Sequence, residues 1–126
     1  LVEQFVSWAG SKVELDAGEI ASTVAKTLSI PEVKRLRPFL VPEVPTYHSQ
    51  TNNGYEIATA GVMDAVERRK DCRTMGTVVD WKSDVSPNAA TIESYKEQVR
   101  EYLDMNGLSS GLIVFMTTGQ TYEVSV

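Results

Sequence analysis

Apolar residues at positions 1, 2, 5, 6, 8 and 9 recur at helical spacing, and Gly10 is placed to end the run. A second helix is predicted over residues 17–28, where Ile20, Val24 and Leu28 repeat on one face; Asp16 stands at its N-cap, with Glu19 three residues on. Pro31 stops that helix, and Ser29 is placed to cap a short helix reaching about Leu36. Pro38, Pro42 and Pro45 predict an extended edge segment leading to Tyr47, because proline cannot donate to a sheet ladder. Asn52-Asn53-Gly54 marks a tight turn into a strand over residues 55–66. The polar stretch 67–73 forms a hairpin tip, and residues 77–82 form the next strand, centred on Val78 and Val79. After the break at Ser86-Pro87-Asn88, residues 91–106 carry the strongest helical period, through Ile92, Tyr95, Val99, Tyr102 and Leu103, with Gly107 at the C-terminal cap. Residues 111–117 are apolar throughout, as in a strand covered on both faces. Thr118-Gly119-Gln120 turns them into residues 121–126, where Tyr122, Val124 and Val126 alternate with polar positions. Helices, three strands, a helix and two strands make a mixed α/β sheet with at least one crossover helix.

Composition narrows the picture. A chain of 126 residues holds one compact domain with a single core. Residues 112–116, the longest apolar run, fall far short of the roughly 20 that a membrane span needs, so no membrane partner is expected. Residues 1–9 lack a basic leader and carry Glu3 and Gln4, which does not read as a signal peptide. A first residue of leucine suits a single domain, 1–126, cut from a longer polypeptide. Cys72, the one cysteine, excludes an internal disulfide or a four-cysteine cluster within the chain, and a reducing, cytoplasmic compartment fits it. The net charge of −5 argues against nucleic acid in sum, but basic residues cluster at Lys34-Arg35-Arg37 and at Arg68-Arg69-Lys70-Arg73. A site for a divalent cation also brings acids of its own. The overall charge therefore leaves the partner open.

Candidate chemistry lies in Val79-Asp80-Trp81-Lys82. On a strand Asp80 and Lys82 share a face, while Val79 and Trp81 point to the other. The apolar approach through Val78 and Val79 suggests a central strand, where a half-buried charge pair needs a reason. A hard cation held by carboxylate oxygens supplies one. Asp64, in Gly61-Val62-Met63-Asp64 on the preceding strand, is the second carboxylate, and a hairpin between them brings the two acids together. On the following helix Tyr95, Gln98 and Tyr102 line one stripe, with Gln98 interrupting an otherwise apolar edge. Each signal arises readily by chance; their combination carries the weight.

Gly61-x-x-Asp64, then Asp80-Trp81-Lys82-Ser83-Asp84, then Gln98-x-x-x-Tyr102 resembles the G-x-x-D, D-Y-K-T-D and Q-x-x-x-Y series of RecB-like nucleases in the PD-(D/E)XK superfamily. These are the nuclease domains fused to RecBCD and AddAB helicases, with relatives in Cas4 proteins. The resemblance spans about residues 40–117. It implies a restriction-endonuclease-like αβββαβ core, with a central mixed sheet flanked by helices. It also implies Mg2+, for which Mn2+ can substitute, on Asp64, Asp80 and the Trp81 main-chain carbonyl. Lys82 would be the catalytic lysine, with Gln98 and Tyr102 supporting the site or touching DNA. Glu43 resembles the glutamate that precedes the first motif strand in these nucleases. Trp81 replaces the usual tyrosine, with its side chain expected to face away from the metal. The G-x-x-x-H pattern of an earlier helix is missing; a helix carrying it would precede Leu1, and His48, read as a solvated loop residue, does not take that role. The absence of a four-cysteine cluster points to a helicase-fused or stand-alone type.

The expected function is thus Mg2+-dependent phosphodiester hydrolysis on DNA. Its expected setting is exonucleolytic end processing in recombination or repair, coupled to a helicase in the same parent chain or complex. A nuclease fold that no longer cuts, serving as a scaffold or DNA-binding module, is the alternative. A chance motif on an unrelated α/β domain would leave Asp64 and Asp80 apart.

Overall fold

The computed structural model describes residues 17–69 and 74–126. Expectations for the helix at residues 1–9, the Asp16 cap, Cys72, Lys70 and Arg73 lie outside these residues. Helix α1 (Ala17–Ser29) and helix α2 (Pro31–Leu36) lead through a 3-10 turn (Arg37–Phe39) into strands β1 (Leu40–Asn52), β2 (Tyr55–Arg68) and β3 (Met75–Lys82). Helix α3 (Ala89–Asn106) then crosses to β4 (Ser110–Phe115) and β5 (Thr121–Ser125). The five strands form one mixed sheet in sequence order, with β1 and β5 at its edges. Only β3 and β4 pair in parallel, which is what a crossover helix between them requires. Among the described residues no helix is long and apolar enough to cross a membrane.

Local chemistry sets most of the boundaries. Asn53 (φ 50°) and Gly54 (φ 81°) both adopt the left-handed conformation that a two-residue hairpin between β1 and β2 demands. Asn88 caps α3 by accepting the Thr91 amide at 2.8 Å, and Gly107 (φ 65°) ends it, with the Leu108 amide returning to the Leu103 carbonyl at 2.8 Å. Ser29 does not cap α2 as expected. Its hydroxyl donates back to the Lys26 carbonyl at 2.7 Å, still closing α1, and Ile30 with Pro31 starts α2 without a side-chain cap. Strand β2 runs on to Arg68, into the polar stretch, and the Arg69 amide bonds the Thr74 carbonyl at 2.9 Å.

The sheet carries a core on each face. Val33 and Leu36 of α2 pack with Ala65, Val79, Trp81, Leu112, Val114 and Met116. On the other face Val99 and Leu103 of α3 pack with Met63, Val66, Val78, Ile113, Phe115 and Val124. Strands β3 and β4 alternate cleanly between these faces. Strand β2 does not: Met63 and Ala65, two residues apart, belong to opposite cores. The alternation slips at Asp64. Opposite it the β1 ladder skips Glu43, passing from Pro42↔Ala65 to Val44↔Met63, and Glu43 sits at φ 52°.

Candidate functional site

The slip in β2 falls at Asp64, which the β1–β2 register passes over. The β2–β3 pairing includes Ala65↔Val79, so continuing its register sets Asp64 opposite Asp80. Instead of a strand carbonyl, the Asp64 carboxylate accepts the Trp81 amide, at 2.9 Å through Oδ2. The Asp64 carboxylate also bears on the Asp80 carboxyl, helping to hold its proton. The two acids therefore converge.

Asp80 is only 5% exposed. Burial, before all else, raises its carboxyl to about 7; the neighbouring Asp64 charge pushes the same way, and Lys82 opposes both. The Lys82 ammonium lies 3.2 Å from Asp80 Oδ2, at ion-pairing distance. Apart from that ion pair, Oδ2 is a buried acceptor with no hydrogen-bond donor. A buried carboxylate oxygen in that condition, with a second carboxylate against it, suits a hard divalent cation. Asp64 and Asp80 are the side chains that fit Mg2+. Among the described residues no third histidine, cysteine or acid completes a cluster with them, so the remaining positions would fall to main-chain oxygen and water. The Trp81 carbonyl lies between Asp80 and Lys82 on β3, while the Trp81 side chain is buried in the α2-side core, away from the acids.

Lys82 is held from its other side by α3. Its Nζ stands 4.2 Å from the centroid of the Tyr95 ring. The Tyr95 hydroxyl in turn donates to the Asp84 carboxylate, 3.0 and 3.1 Å from its two oxygens. Sequence reasoning placed Tyr95 on the stripe facing the site and quoted Asp84 within the motif, but gave neither a task. The signal was available: an aromatic ring one turn before Gln98, and an acid two residues after the lysine.

Tyr102 lies against Gly61 of β2. A Cβ built on Gly61 would meet Tyr102 Cε1 at 3.2 Å, so the glycine is what lets the ring settle on β2. Burial, chiefly, keeps the Tyr102 hydroxyl protonated more firmly than a free tyrosine; Gln98 opposes it, and the charges of Asp80, Asp64 and Glu101 add smaller pushes in the same direction as burial. Gln98 is exposed, and its amide reaches the Tyr102 hydroxyl at 3.5 Å. Asn106 anchors this end of α3, donating to Thr46 Oγ1 and to the Tyr102 carbonyl, each at 2.8 Å. Glu43 shares the slip with Asp64 in the backbone, but its side chain is exposed and does not join the two acids. His48 is exposed, on strand β1 rather than in a loop. It lines an open groove of about 400 Å3 with Gln50, Thr59, Glu101, Asp104 and Met105.

Comparison with known proteins bears on the fold. No family model matches the chain, and no curated protein matches it. The crystal structure of SSO0001 is similar, with a TM-score of 0.59 at 19% identity over 86% of this chain; the chain spans about half of that protein, 51% of it. At that identity the likeness speaks for the fold alone: the chain is an α/β domain built on a five-stranded mixed sheet with helices.

Proposed function

We propose that this chain is a Mg2+-dependent DNA nuclease domain of the RecB-like PD-(D/E)XK type, with the restriction-endonuclease-like core which that assignment implies. The observation that carries the reading is the meeting of Asp64 and Asp80 in a buried corner, with Lys82 3.2 Å from Asp80. Two acids and one lysine in a corner where Asp80 is buried leave room for a divalent cation to balance the second negative charge. The order of motifs along two antiparallel strands and a crossover helix supports the same reading.

Bound Mg2+ would activate water and offset charge on the phosphate. Asp64 and Asp80 would hold it, Asp80 giving up its proton as it does so. Lys82, fixed between Asp80 and the Tyr95 ring, presents its ammonium where negative charge builds on the phosphate oxygens. Gln98 and Tyr102 form the rim that positions the DNA strand or supports the acids from α3. End processing in recombination or repair, coupling to a helicase in the same chain or complex, and an intracellular setting belong to the proposal through the motif resemblance.

The test is cleavage of labelled linear DNA, single- and double-stranded, with Mg2+ or Mn2+. Wild type should cut, and Asp80→Asn and Lys82→Ala should each lower the rate at least a hundredfold while the fold persists by circular dichroism. Saturable metal binding without cleavage would favour the inactive scaffold instead; cleavage unchanged in either variant would refute the assignment.

A further inference from the structure

Two basic clusters far apart in sequence meet at one end of the sheet. Leu40 pairs with Glu67, and the 3-10 turn before it packs against β2. Arg37 is thereby brought to the end of β2 that carries Arg68 and Arg69. Lys34 and Arg35 occupy the last turn of α2, just ahead of that turn. All five side chains are exposed. Among the described residues the ion pairs are Lys82–Asp80 and Arg100–Glu93, and none of the five takes part in one. Glu67, the acid beside Arg68, accepts the Thr77 amide at 3.0 Å, and its carboxylate and the Arg69 side chain both lie against Gly76. The acidic surplus lies elsewhere, with Glu93, Glu97, Glu101 and Asp104 along α3. A net charge of −5 conceals a polarised surface.

We propose that this basic end, formed by Lys34, Arg35, Arg37, Arg68 and Arg69, binds the phosphodiester backbone of DNA a few nucleotides from the bond being cut. The proposal rests on the nuclease reading for its partner and adds where that partner lies. Asp64 and Arg68 are four residues apart on β2, about 13 Å of extended strand, which matches roughly four nucleotides of one DNA strand. The exposed acids of α3 would repel a strand laid along that helix. Arginine forks at the end of β2 and on the preceding turn suit phosphate oxygens, and they would hold the DNA in register independently of its sequence.

The experiment measures the affinity of fluorescein-labelled DNA by anisotropy, in EDTA so that nothing is cut, across a salt series. Wild type should bind with a steep salt dependence. Arg37→Gln with Arg68→Gln should weaken binding about tenfold at moderate salt and flatten the log–log salt slope by about two, one for each lost phosphate contact. Lys96→Gln on α3 should change neither. All substitutions are at partly or fully exposed positions, and Arg35→Gln with Arg69→Gln offers a second pair should the first lower stability. Unchanged affinity and slope in both pairs would overturn the proposal, as would binding to phosphatidylserine vesicles but not to DNA. Steep, variant-sensitive binding by a protein that never cuts would leave this surface standing and remove the nuclease reading.

Discussion

The Trp81 amide donates to Asp64 Oδ2 at 2.9 Å, so a candidate metal-binding carboxylate also closes the backbone of the neighbouring strand. Metal-free, that one side chain has opposing effects on stability. It satisfies a partly buried amide, and it places a negative charge against Asp80. Asp64→Asn keeps an acceptor for the amide and removes the repulsion, so its unfolding free energy in urea should stay within about 1 kcal/mol of wild type or rise. Asp64→Ala strands the amide and should cost about 1–2 kcal/mol more than Asn. Both variants should lose Mg2+ binding by calorimetry. Equal stability of the two would show that the amide contact is idle.

Asp80 makes the metal-free protein sensitive to pH. Its carboxyl holds a proton to about pH 7 in the fold, against an ordinary value of 3.8. Between those values the folded chain binds more protons than the unfolded one. This group's stabilising contribution is therefore complete below about pH 4 and is lost as pH rises through 7, on the order of 4 kcal/mol in all. Urea midpoints in EDTA should show that decline for wild type and a flatter profile for Asp80→Asn. Mg2+ at pH 8 should restore wild-type stability. Below pH 7 its apparent affinity should drop about tenfold per pH unit, because each ion must displace the Asp80 proton.

Much of this arrangement was legible in the chain because local chemistry decides it. The Asn53-Gly54 turn, the Asn88 and Gly107 caps of α3 and the alternation of β3 each depend on residues within a few positions of one another. That Asp80 and Lys82 share one face, with Trp81 on the other, followed from the strand period alone. What escaped depends on neighbours distant in sequence. The slip at Asp64 is invisible in β2 by itself, since it reflects Glu43 leaving the β1 ladder. Ser29 failed as a cap because a helix just ended offers a carbonyl closer than the next helix's amides. The helical period sets Gln98 and Tyr102 on one stripe, yet the ring under Lys82 is Tyr95, which packs with α3 against Phe115.

Lys82 sits between an anion and a ring, and the two supports are separable. Tyr95→Phe keeps the ring but drops the Asp84 link, whereas Tyr95→Leu removes the cation–π contact as well. In the nuclease reading, Phe should retain most of kcat and Leu should lose roughly ten- to thirtyfold, equivalent to about 1–2 kcal/mol of positioning. KM for DNA should move less than threefold in both. An independent readout is the upfield ring-current shift of the Lys82 ε-methylene protons by NMR, present in wild type and Phe and absent in Leu. A Lys82 resonance at its ordinary position in wild type would contradict the contact whatever the kinetics.

Gly111 tests how closely α3 must approach the sheet that carries the acids. A Cβ there would lie 2.5 Å from Val99 Cγ1, well inside contact, and both residues are buried, Gly111 near the start of β4 and Val99 on α3. Gly111→Ala should therefore destabilise by about 1–3 kcal/mol through overpacking, or push α3 outward. Because Tyr95 and Tyr102 ride on the same helix, a displaced α3 would also carry the Lys82 brace and the Tyr102 rim away from Asp80. Val99→Ala alone opens a cavity and should cost a comparable amount. Together the two changes exchange one side-chain volume for the other, so the double variant should be clearly more stable than the sum of the single losses predicts, by at least about 1 kcal/mol in a urea double-mutant cycle. Simple additivity would mean that the close approach at Gly111 does not set the position of α3.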